Sequence, residues 1–381
     1  MKHVLNEALH SIEQSGIRRI SDEANKYEGV IRLTVGEPAF NTPENIKQAA
    51  KDALDQNHTH YPSAIGLLPL RKAIAEFEAK YNQIHYQPEE IIITHGATGA
   101  LYVALGTILN PDDEVIIFSP AYTSYRPAIE IYGGKVIEID LSQTDFQLND
   151  EILRKAMSEK TKAILINSPN NPTGVILNKE SLDVLEHLIE EKDIYVICDD
   201  VYNQLSPGKS EYFVQRTKHK SKIIYCQSLS KPYAMTGWRI GYVMAEQQLA
   251  NQIVKLQQYS AAGVAPFVQL AAIEALQTDV QSMLDFYSKQ RTMAQKILDE
   301  VGIPYIESFG AFYLVIDISR SNLDSWSFAY QLLEEKRVAV VPGAVFSASF
   351  DHYIRLSLAA SQENVTVGIH RIIEFIKQRG G

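Results

Sequence analysis

The sequence predicts an α/β protein with a mainly parallel sheet sandwiched by helices, followed by a smaller α+β domain. Two observations predict this fold. Short apolar runs, many rich in Val and Ile, alternate with stretches of helical periodicity from about residue 40 to residue 290. Beyond that point, a long polar helix leads into shorter strands that alternate with helices.

The predicted strands of the large sheet are short apolar runs, and several end at Gly, Pro, Asn or Asp. They are Ile91–Thr94, Glu114–Ser119, Lys135–Asp140, Ala163–Ser168, Ile194–Asp199, Ile223–Gln227 and Ile240–Ala245. Between most of them, helical spacing of apolar residues predicts helices such as Ala100–Leu109 and Lys179–Lys192. Apolar strands that alternate with helices are typical of a parallel sheet covered on both faces.

The C-terminal part of the chain has a different pattern. A predicted helix at Val280–Val301 is followed by three predicted strands, at Phe312–Ile316, Val338–Val341 and Tyr353–Leu358. A further helix is predicted between the first two of these strands, at Ser325–Glu335. An N-terminal helix and the strand Val30–Val35 are expected to pack beside this part. We therefore divide the chain into an N-terminal segment that packs with the small domain, a large domain and a small C-terminal domain: 1–39, 40–290 and 291–381.

Composition narrows the class of protein. The 381 residues include 36 Lys and Arg against 46 Asp and Glu, a formal net charge of −10. This balance argues against nucleic acid as the main partner. The N-terminus lacks the apolar block of a signal peptide, and no stretch approaches the length of a transmembrane helix. Cys198 and Cys226 lie in apolar runs and are predicted to be buried thiols. We expect a cytoplasmic protein with no membrane partner.

Polar or glycine-containing segments follow five of the predicted strands. The segments are His95–Gly99, Pro120–Tyr125, Asn167–Gly174, Asp199–Tyr202 and Ser228–Lys231. In an open α/β sheet, ligands bind at the carboxyl ends of the strands. The five segments therefore predict one shared site.

Each of these segments has a structural and a functional interpretation. The small residues of His95–Gly99 open a helix, which makes either an ordinary turn or a phosphate site. Asp199 ends a buried strand, so it is either a helix cap or an anion held against a cationic ligand atom. Asn171 precedes Pro172, which restricts its backbone and aims its amide, although most such segments are simple turns.

Two cationic residues complete the set. Lys231 is either a surface lysine or a nucleophile whose pKa is lowered in a partly dry pocket, and Ser228 and Arg239 beside it form a second anion-binding cluster. Arg355 interrupts an apolar strand, and it pairs either with an internal carboxylate or with a substrate carboxylate. Together the residues supply what is needed to hold pyridoxal 5′-phosphate and an amino acid. No metal site is predicted.

The same residues resemble a known family in order and spacing. The matching segments are Gly36–Pro38, Tyr61–Gly66, Gly96–Leu101, Pro120–Tyr122, Asn170–Gly174, Asp199–Tyr202, Ser228–Lys231, Gly237–Arg239 and Arg355–Ser357. In these segments the chain resembles the class I/II aminotransferases, pyridoxal-phosphate-dependent enzymes with the aspartate-aminotransferase-like fold (fold type I). The resemblance implies exchange of an amino group between an L-amino acid and a 2-oxo acid, with 2-oxoglutarate and glutamate as the common pair.

The resemblance also implies roles at the cofactor ring. Lys231 should bind the cofactor aldehyde covalently and then move the proton. Asp199 should keep the ring nitrogen protonated. Tyr202 and Asn171 should both hydrogen-bond the ring 3′-oxygen, and Tyr122 should stack on the ring.

Further residues are implied for the phosphate and the substrate. The backbone amides of Ala97 and Thr98, together with Ser228 and Arg239, should hold the phosphate. Tyr61 should reach the phosphate of a neighbouring subunit, which implies a homodimer with shared active sites. The substrate α-carboxylate should be bound by Arg355, Gly36 and Asn171. The family also implies cis peptide bonds at Ser119–Pro120 and Asn171–Pro172.

The substrate side chain stays open. The chain is similar to bacterial aspartate and aromatic aminotransferases and to N-acetyl-diaminopimelate aminotransferases of lysine biosynthesis. Some aspartate-specific relatives have a lysine where Thr98 stands, which puts a strict aspartate enzyme in doubt unless Arg18 or Arg19 substitutes. Tyr125 is expected only to line the pocket.

Two other functions use the same scaffold. The first is a pyridoxal-phosphate-dependent β-lyase that cleaves C–S bonds. The second is a non-enzymatic regulator, which needs a DNA-binding segment ahead of the core. The predicted core begins by about residue 30, which leaves no room for such a segment.

Overall fold

The structure is a computed structural model that describes residues 7–10, 12–206, 208, 210–216 and 218–380. Its strands are β1 (Ile31–Arg32), β2 (Ile91–Thr94), β3 (Glu114–Ser119), β4 (Lys135–Asp140), β5 (Thr161–Asn167), β6 (Tyr195–Asp199), β7 (Ile223–Ser228), β8 (Gly241–Met244), β9 (Tyr305–Ile306), β10 (Tyr313–Asp317), β11 (Val338–Ala339), β12 (Val341–Pro342) and β13 (Tyr353–Ser357). Its α-helices are α1 (Gly16–Ala24), α2 (Glu44–Asp55), α3 (Leu68–Phe77), α4 (Gly96–Ile108), α5 (Tyr125–Glu130), α6 (Asp150–Ala156), α7 (Lys179–Glu191), α8 (Phe213–Arg216), α9 (Gln247–Ala261), α10 (Pro266–Gln277), α11 (Gln281–Val301), α12 (Ser325–Lys336) and α13 (Gln362–Gly380).

A seven-stranded sheet forms the centre of the large domain. Its strand order is β2-β8-β7-β6-β5-β3-β4. Strand β8 runs antiparallel to both of its neighbours, and the other pairs are parallel. The predicted mainly parallel sheet is confirmed.

Strand residues alternate between two separate cores, one on each face of this sheet. In β2, for example, Ile91 and Ile93 belong to the core that contains residues of α2, α3, α7 and α10, whereas Ile92 belongs to the core that contains residues of α4, α5 and α9. Both faces are therefore covered by helices, which explains why the strands, apart from the partly exposed β4, are largely apolar rather than alternating.

A second group of elements has its own sheets and its own core. A four-stranded antiparallel sheet has the order β12-β13-β10-β9, and β1 pairs in parallel with β11. Residues of α1, α11, α12 and α13 pack around these strands. The boundary at 290/291 falls inside α11, and the three-part division of the chain remains a prediction.

The predicted strand Val338–Val341 is wrong as a single strand. Its first half, β11, pairs with β1, and its second half, β12, pairs with β13 in the other sheet. All four residues are buried, so an uninterrupted apolar run gives no sign that the strand changes partner. The predicted strand Val30–Val35 shortens to β1, and the predicted N-terminal helix lies partly outside the described residues.

Two predictions from composition can be compared with the structure. Cys198 and Cys226 are buried free thiols in β6 and β7, as predicted. In the part of the chain that the structure describes, no helix is both long enough and apolar enough to cross a membrane.

We predict that Gly241→Ala destabilises the protein. A Cβ at this position would lie 2.5 Å from the carbonyl oxygen of Gln227 and 2.8 Å from the carbonyl carbon of Gly96, so backbone would have to move. The free energy of unfolding should fall by about 1–3 kcal/mol, measured by urea unfolding. Gly237→Ala is the control, because nothing lies within 4 Å of its added Cβ. Equal stability of the two variants would contradict the prediction.

Candidate active site

A cavity of about 1190 Å³ lies at the carboxyl ends of the large sheet's strands. All five segments predicted at strand ends contribute residues to it, and so do α1, α12, β10 and β13. The predicted site residues that line it are Gly36, Ala97, Thr98, Tyr122, Asn171, Asp199, Tyr202, Ser228, Lys231, Arg239 and Arg355. The prediction that these segments share one site therefore agrees with their placement.

Asp199, at the end of β6, is 3% exposed and lacks a full set of hydrogen bonds. Its Oδ2 accepts a hydrogen bond of 2.7 Å from the Tyr125 hydroxyl, whereas its Oδ1 has no partner among the described residues. Burial raises the pKa of Asp199 to about 6, against the opposing effect of the Tyr125 hydrogen bond. The helix-cap interpretation is wrong, because the helical turn that follows has Tyr202 as its N-cap.

Lys231 lies half-buried in the cavity rather than in solvent. Its Nζ donates a hydrogen bond of 2.5 Å to the carbonyl oxygen of Gly36. Burial lowers its pKa to about 8, and the carboxylates of Glu37 and Asp199 only partly oppose this effect. The amine is therefore neutral more often than that of a solvated lysine.

Arg355, in β13, is 1% exposed and forms no ion pair in the described part of the chain. Its Nη1 donates to Asn171 Oδ1 at 3.0 Å and its Nη2 donates to the carbonyl oxygen of Thr34 at 2.6 Å. Its Nε has no partner among the described residues. Pairing with an internal carboxylate, one of the two interpretations, is therefore wrong, and burial lowers the pKa of the guanidinium.

Asn171 is buried and joins Arg355 to Asp199 through one further residue. Its backbone N–H donates to Asn167 Oδ1 at 2.7 Å, and Asn167 Nδ2 donates to the carbonyl oxygen of Asp199 at 2.6 Å. The loop after β5 thus connects the end of β6 with β13. These hydrogen bonds fix the positions of Arg355, Asn171 and Asp199 relative to one another.

Tyr202 lies beside Tyr313, which comes from the small antiparallel sheet. Their hydroxyl oxygens are 2.9 Å apart, and both side chains are buried. Burial raises the pKa of both tyrosines, and Arg355 opposes this rise in each case. Both hydroxyls therefore carry their protons at neutral pH.

The beginning of α4 offers a binding site for an anion. His95 at the N-cap forms no side-chain cap hydrogen bond, so the first N–H groups of the helix point outward without that partner. The Arg239 guanidinium lies against Gly96, since a Cβ there would be 2.8 Å from Nη2. Ser228 Oγ donates to Ser230 Oγ at 2.8 Å at the end of β7. The start of α4, Ser228 and Arg239 all contribute residues to the lining of the cavity.

One predicted site residue does not reach this cavity. Tyr61 is 93% exposed and is absent from the residues that line it. The expected cis peptide bond at Ser119–Pro120 is confirmed. The one expected at Asn171–Pro172 is wrong, because the second cis bond found in the described residues lies at Ser168–Pro169 instead.

The sequence interpretation missed three residues of the site. Tyr125 was expected only to line the pocket but hydrogen-bonds Asp199, and its place at a strand end was the available signal. Ser230 lies between Ser228 and Lys231 and carried the same signal. Tyr313 lies in an apolar strand, where an aromatic residue normally indicates packing, so no pattern distinguished it.

Comparison with known proteins identifies the family. Residues 28–372 match the family described as aminotransferase class I and II. The chain belongs to this family. An aromatic-amino-acid aminotransferase 2 of Thermococcus litoralis is 36% identical, with 98% of this chain and 99% of that protein covered. A probable N-acetyl-LL-diaminopimelate aminotransferase of Bacillus subtilis is also 36% identical, with 100% and 97% covered. The structure of an aspartate aminotransferase of Thermotoga maritima superposes with a TM-score of 0.93 at 34% identity, covering 98% and 100%.

The protein is thus an aminotransferase that depends on pyridoxal phosphate and acts on amino and 2-oxo acids. The residues of the cavity fit this cofactor. The unpartnered Oδ1 of Asp199 is a buried acceptor that suits a ring N–H, and the donors around the start of α4 suit a phosphate. The amine of Lys231 lines the same cavity.

We predict that Asp199→Asn stabilises the cofactor-free aminotransferase at neutral pH. The pKa of Asp199 is about 6 in the fold and near 3.8 when unfolded, so the folded state binds the extra proton. The wild-type chain therefore loses stability as pH rises from about 4 to 6, and the loss persists above 6. Asparagine cannot ionise, so at pH 8 the variant should gain about 1–3 kcal/mol in urea unfolding, with little gain below pH 4.

The control for this prediction is Asp193→Asn, because the Asp193 side chain is fully exposed. Its stability should follow that of the wild type across the pH range. An Asp199→Asn variant that is less stable than the wild type at pH 8 would show that the unpaired carboxylate is not a source of instability.

Proposed function

We propose that this aminotransferase exchanges an amino group between an L-amino acid and a 2-oxo acid, with glutamate and 2-oxoglutarate as the common pair. The observation that carries the proposal is the buried, unpartnered Oδ1 of Asp199 in the same cavity as the half-buried amine of Lys231. Pyridoxal phosphate, when bound, supplies an aldehyde and a ring that accepts electrons from the substrate Cα. The chain supplies the groups that hold and move protons.

Lys231 and Asp199 are proposed as the central pair. The lowered pKa of Lys231 leaves part of the amine neutral, so that it can attack an aldehyde and later accept the proton of the substrate Cα. Asp199, buried and anionic above pH 6, would accept a hydrogen bond from a protonated ring nitrogen through Oδ1. The Tyr125 hydroxyl occupies Oδ2 and so orients the carboxylate.

Donors on three segments are proposed to hold the remaining cofactor oxygens. The backbone N–H groups of Ala97 and Thr98 lie at the uncapped start of α4, and Ser228 and Arg239 border the same part of the cavity. They would bind the phosphate. Next to the ring, Asn171 and Tyr202 would donate hydrogen bonds to its 3′-oxygen, and Tyr122 would stack on its face.

Arg355 is proposed to bind the substrate α-carboxylate. It lines the cavity, keeps an unpartnered Nε, and has no carboxylate partner in the described part of the chain. A buried guanidinium binds a carboxylate strongly because two parallel hydrogen bonds form away from water. Asn171, already bonded to Nη1, and Gly36 would border the bound carboxylate.

The amino donor is left open between an amino acid whose distal group is acidic, one whose distal group is aromatic and one whose distal group is acylated. Relatives of nearly equal identity have names with all three substrates, so overall identity does not decide between them. Arg18 and Arg19 both line the outer cavity, and Arg19 donates to the Tyr330 hydroxyl at 2.8 Å while its guanidinium lies 4.5 Å from the Trp326 ring centre. A role in lysine biosynthesis belongs to the acylated alternative.

We also propose a cytoplasmic homodimer with shared active sites. Support comes from Tyr61, which is 93% exposed in the single chain although the family resemblance implies a phosphate contact. Gly263, close to the exposed Tyr259, lies against the loop that carries Tyr61, since its Cβ would be 3.0 Å from Pro62. Exposed aromatic side chains such as Tyr61 and Tyr259 suit a surface that a partner chain covers.

We predict that Lys231→Ala abolishes amino transfer. Loss of the amine removes both the nucleophile and the proton carrier, so the rate should fall by at least about 10²–10⁴-fold. The measurement mixes the protein with glutamate, aspartate, tyrosine or N-acetyl-LL-diaminopimelate and records conversion of the cofactor absorbance to its pyridoxamine form. Wild type should respond to at least one donor, and Lys231→Ala to none.

The matched control is Lys255→Ala, a change at an exposed lysine outside the cavity, which should leave the conversion unchanged. If the wild type converts with no donor but releases pyruvate and ammonia from cystathionine without a 2-oxo acid, a β-lyase replaces the proposal. Full activity of Lys231→Ala would reject the assigned role.

We predict that two inactive variants restore activity when they are co-expressed. If Tyr61 completes the partner's site, a dimer of Tyr61→Ala and Lys231→Ala has one intact site out of two. Random pairing makes half of the dimers mixed, so about a quarter of the wild-type activity should return. Tyr81→Ala, at another exposed tyrosine, should keep full activity alone. A mixture no more active than its separate components would argue against shared sites.

A further inference from the structure

Tyr313 contacts three of the groups to which the proposed function assigns roles. It is 1% exposed and lines the cavity from β10. Its hydroxyl is 2.9 Å from that of Tyr202, and the guanidinium carbon of Arg355 lies 4.4 Å from the centre of its ring. Its hydroxyl also lies against Gly36, because a Cβ at that position would overlap the hydroxyl oxygen.

The chemistry of Tyr202 determines the direction of the hydrogen bond between the two tyrosines. A hydroxyl has one proton to donate and two lone pairs that accept. If Tyr202 donates its proton to the ring 3′-oxygen of the cofactor, it is left as an acceptor for Tyr313. Tyr313 must then be the donor, and this donation makes the proton of Tyr202 a better hydrogen-bond donor in turn.

The ring of Tyr313 acts on Arg355 independently of the hydroxyl. Arg355 lies over this ring and, at 5.1 Å, over the ring of Phe346. A guanidinium over an aromatic face is held by electrostatic attraction and keeps its donors available at its edge. The two rings thus hold the guanidinium of Arg355 in place and stabilise its charge. No protein carboxylate is needed for this, so none competes with the substrate carboxylate for Arg355.

Through Gly36, Tyr313 is also connected to Lys231. The carbonyl oxygen of Gly36 accepts the hydrogen bond from Lys231 Nζ, and the close approach of the Tyr313 hydroxyl requires glycine at this position. Tyr313 therefore limits where the segment that holds the amine can lie. Substitutions of Tyr313 should therefore affect the contacts with Tyr202, with Arg355 and with Gly36, and different substitutions should affect different contacts.

The geometry points to Tyr313 as a positioning residue that hydrogen-bonds Tyr202 to tune the cofactor's ring oxygen and supports Arg355 for substrate binding. This inference rests on the proposed function. It assigns two separable tasks, one to the hydroxyl and one to the ring. Variants that remove them one at a time can therefore distinguish them.

The experiment compares Tyr313→Phe and Tyr313→Leu in the enzyme loaded with pyridoxal phosphate. In Tyr313→Phe, Tyr202 becomes a poorer donor, so the negative charge on the ring oxygen is less stabilised and the cofactor keeps its proton to higher pH. The midpoint of the visible absorbance titration should rise by about 0.5–1 pH unit. The KM for the amino donor should change less than about twofold, because the ring remains.

Tyr313→Leu should show the same titration shift together with a weaker substrate site. Loss of the aromatic support for Arg355 should raise the KM and the dissociation constant of succinate, a dicarboxylate that cannot react, by about 3–30-fold. Tyr287→Phe is the matched control, since it removes another buried hydroxyl, hydrogen-bonded to the backbone N–H of Ala39, outside the cavity. It should leave the titration and succinate binding unchanged.

A double-variant comparison tests the route through Tyr202. Tyr202→Phe should raise the midpoint, and adding Tyr313→Phe to it should cause no further shift. A wild-type midpoint in Tyr313→Phe, or an undiminished extra shift in the Tyr202→Phe background, would overturn the inference. If the wild type transfers amino groups, either result rejects only the role of Tyr313. If no amino donor converts the cofactor of the wild type to its pyridoxamine form, the proposed function itself is rejected.

Discussion

The site depends on ionisable groups that are buried without being paired to one another. Asp199 and Arg355 line one cavity, and neither forms an ion pair in the described part of the chain. Among the described residues, Oδ1 of Asp199 and Nε of Arg355 have no hydrogen-bond partner. Burial shifts the pKa of both groups toward the neutral form, which shows that the fold holds them against a desolvation cost. Groups held in this way gain more from a ligand that completes their hydrogen bonds than solvated groups would.

The scaffold meets this requirement by bringing the two sheets together at the cavity. Arg355 comes from the small antiparallel sheet but donates to Asn171, which follows a strand of the large sheet. Tyr202 and Tyr313 are paired across the same junction. Below these polar contacts, Tyr202 and neighbouring residues of the large sheet's loops pack into the core of the second group of elements. The polar contacts are therefore supported by apolar packing that excludes water from them.

The sequence predicted those parts of the fold and the site that a pattern within a short stretch of residues reveals. Strands of the large sheet were predicted almost to the residue because each is a short apolar run with polar residues at its end. Lys231 and Arg355 were recognised because a cation in apolar surroundings is unusual. Tyr313 was not, because its hydroxyl acquires meaning only from Tyr202, more than a hundred residues away. The change of partner within Val338–Val341 was missed for the same reason, since pairing between distant strands leaves no local trace.

The lowered pKa of Lys231 shows what burial without an ion pair achieves. With the ordinary pKa of 10.5, about 0.03% of the amines would be neutral at pH 7, whereas with a pKa of about 8 the neutral share is about 10%. The nucleophilic form is thus more abundant by roughly two orders of magnitude. A carboxylate in direct contact with Nζ would cancel this gain by stabilising the charged form. The fold avoids that outcome by giving Nζ the carbonyl oxygen of Gly36, a neutral acceptor that holds the amine in place without a full opposing charge.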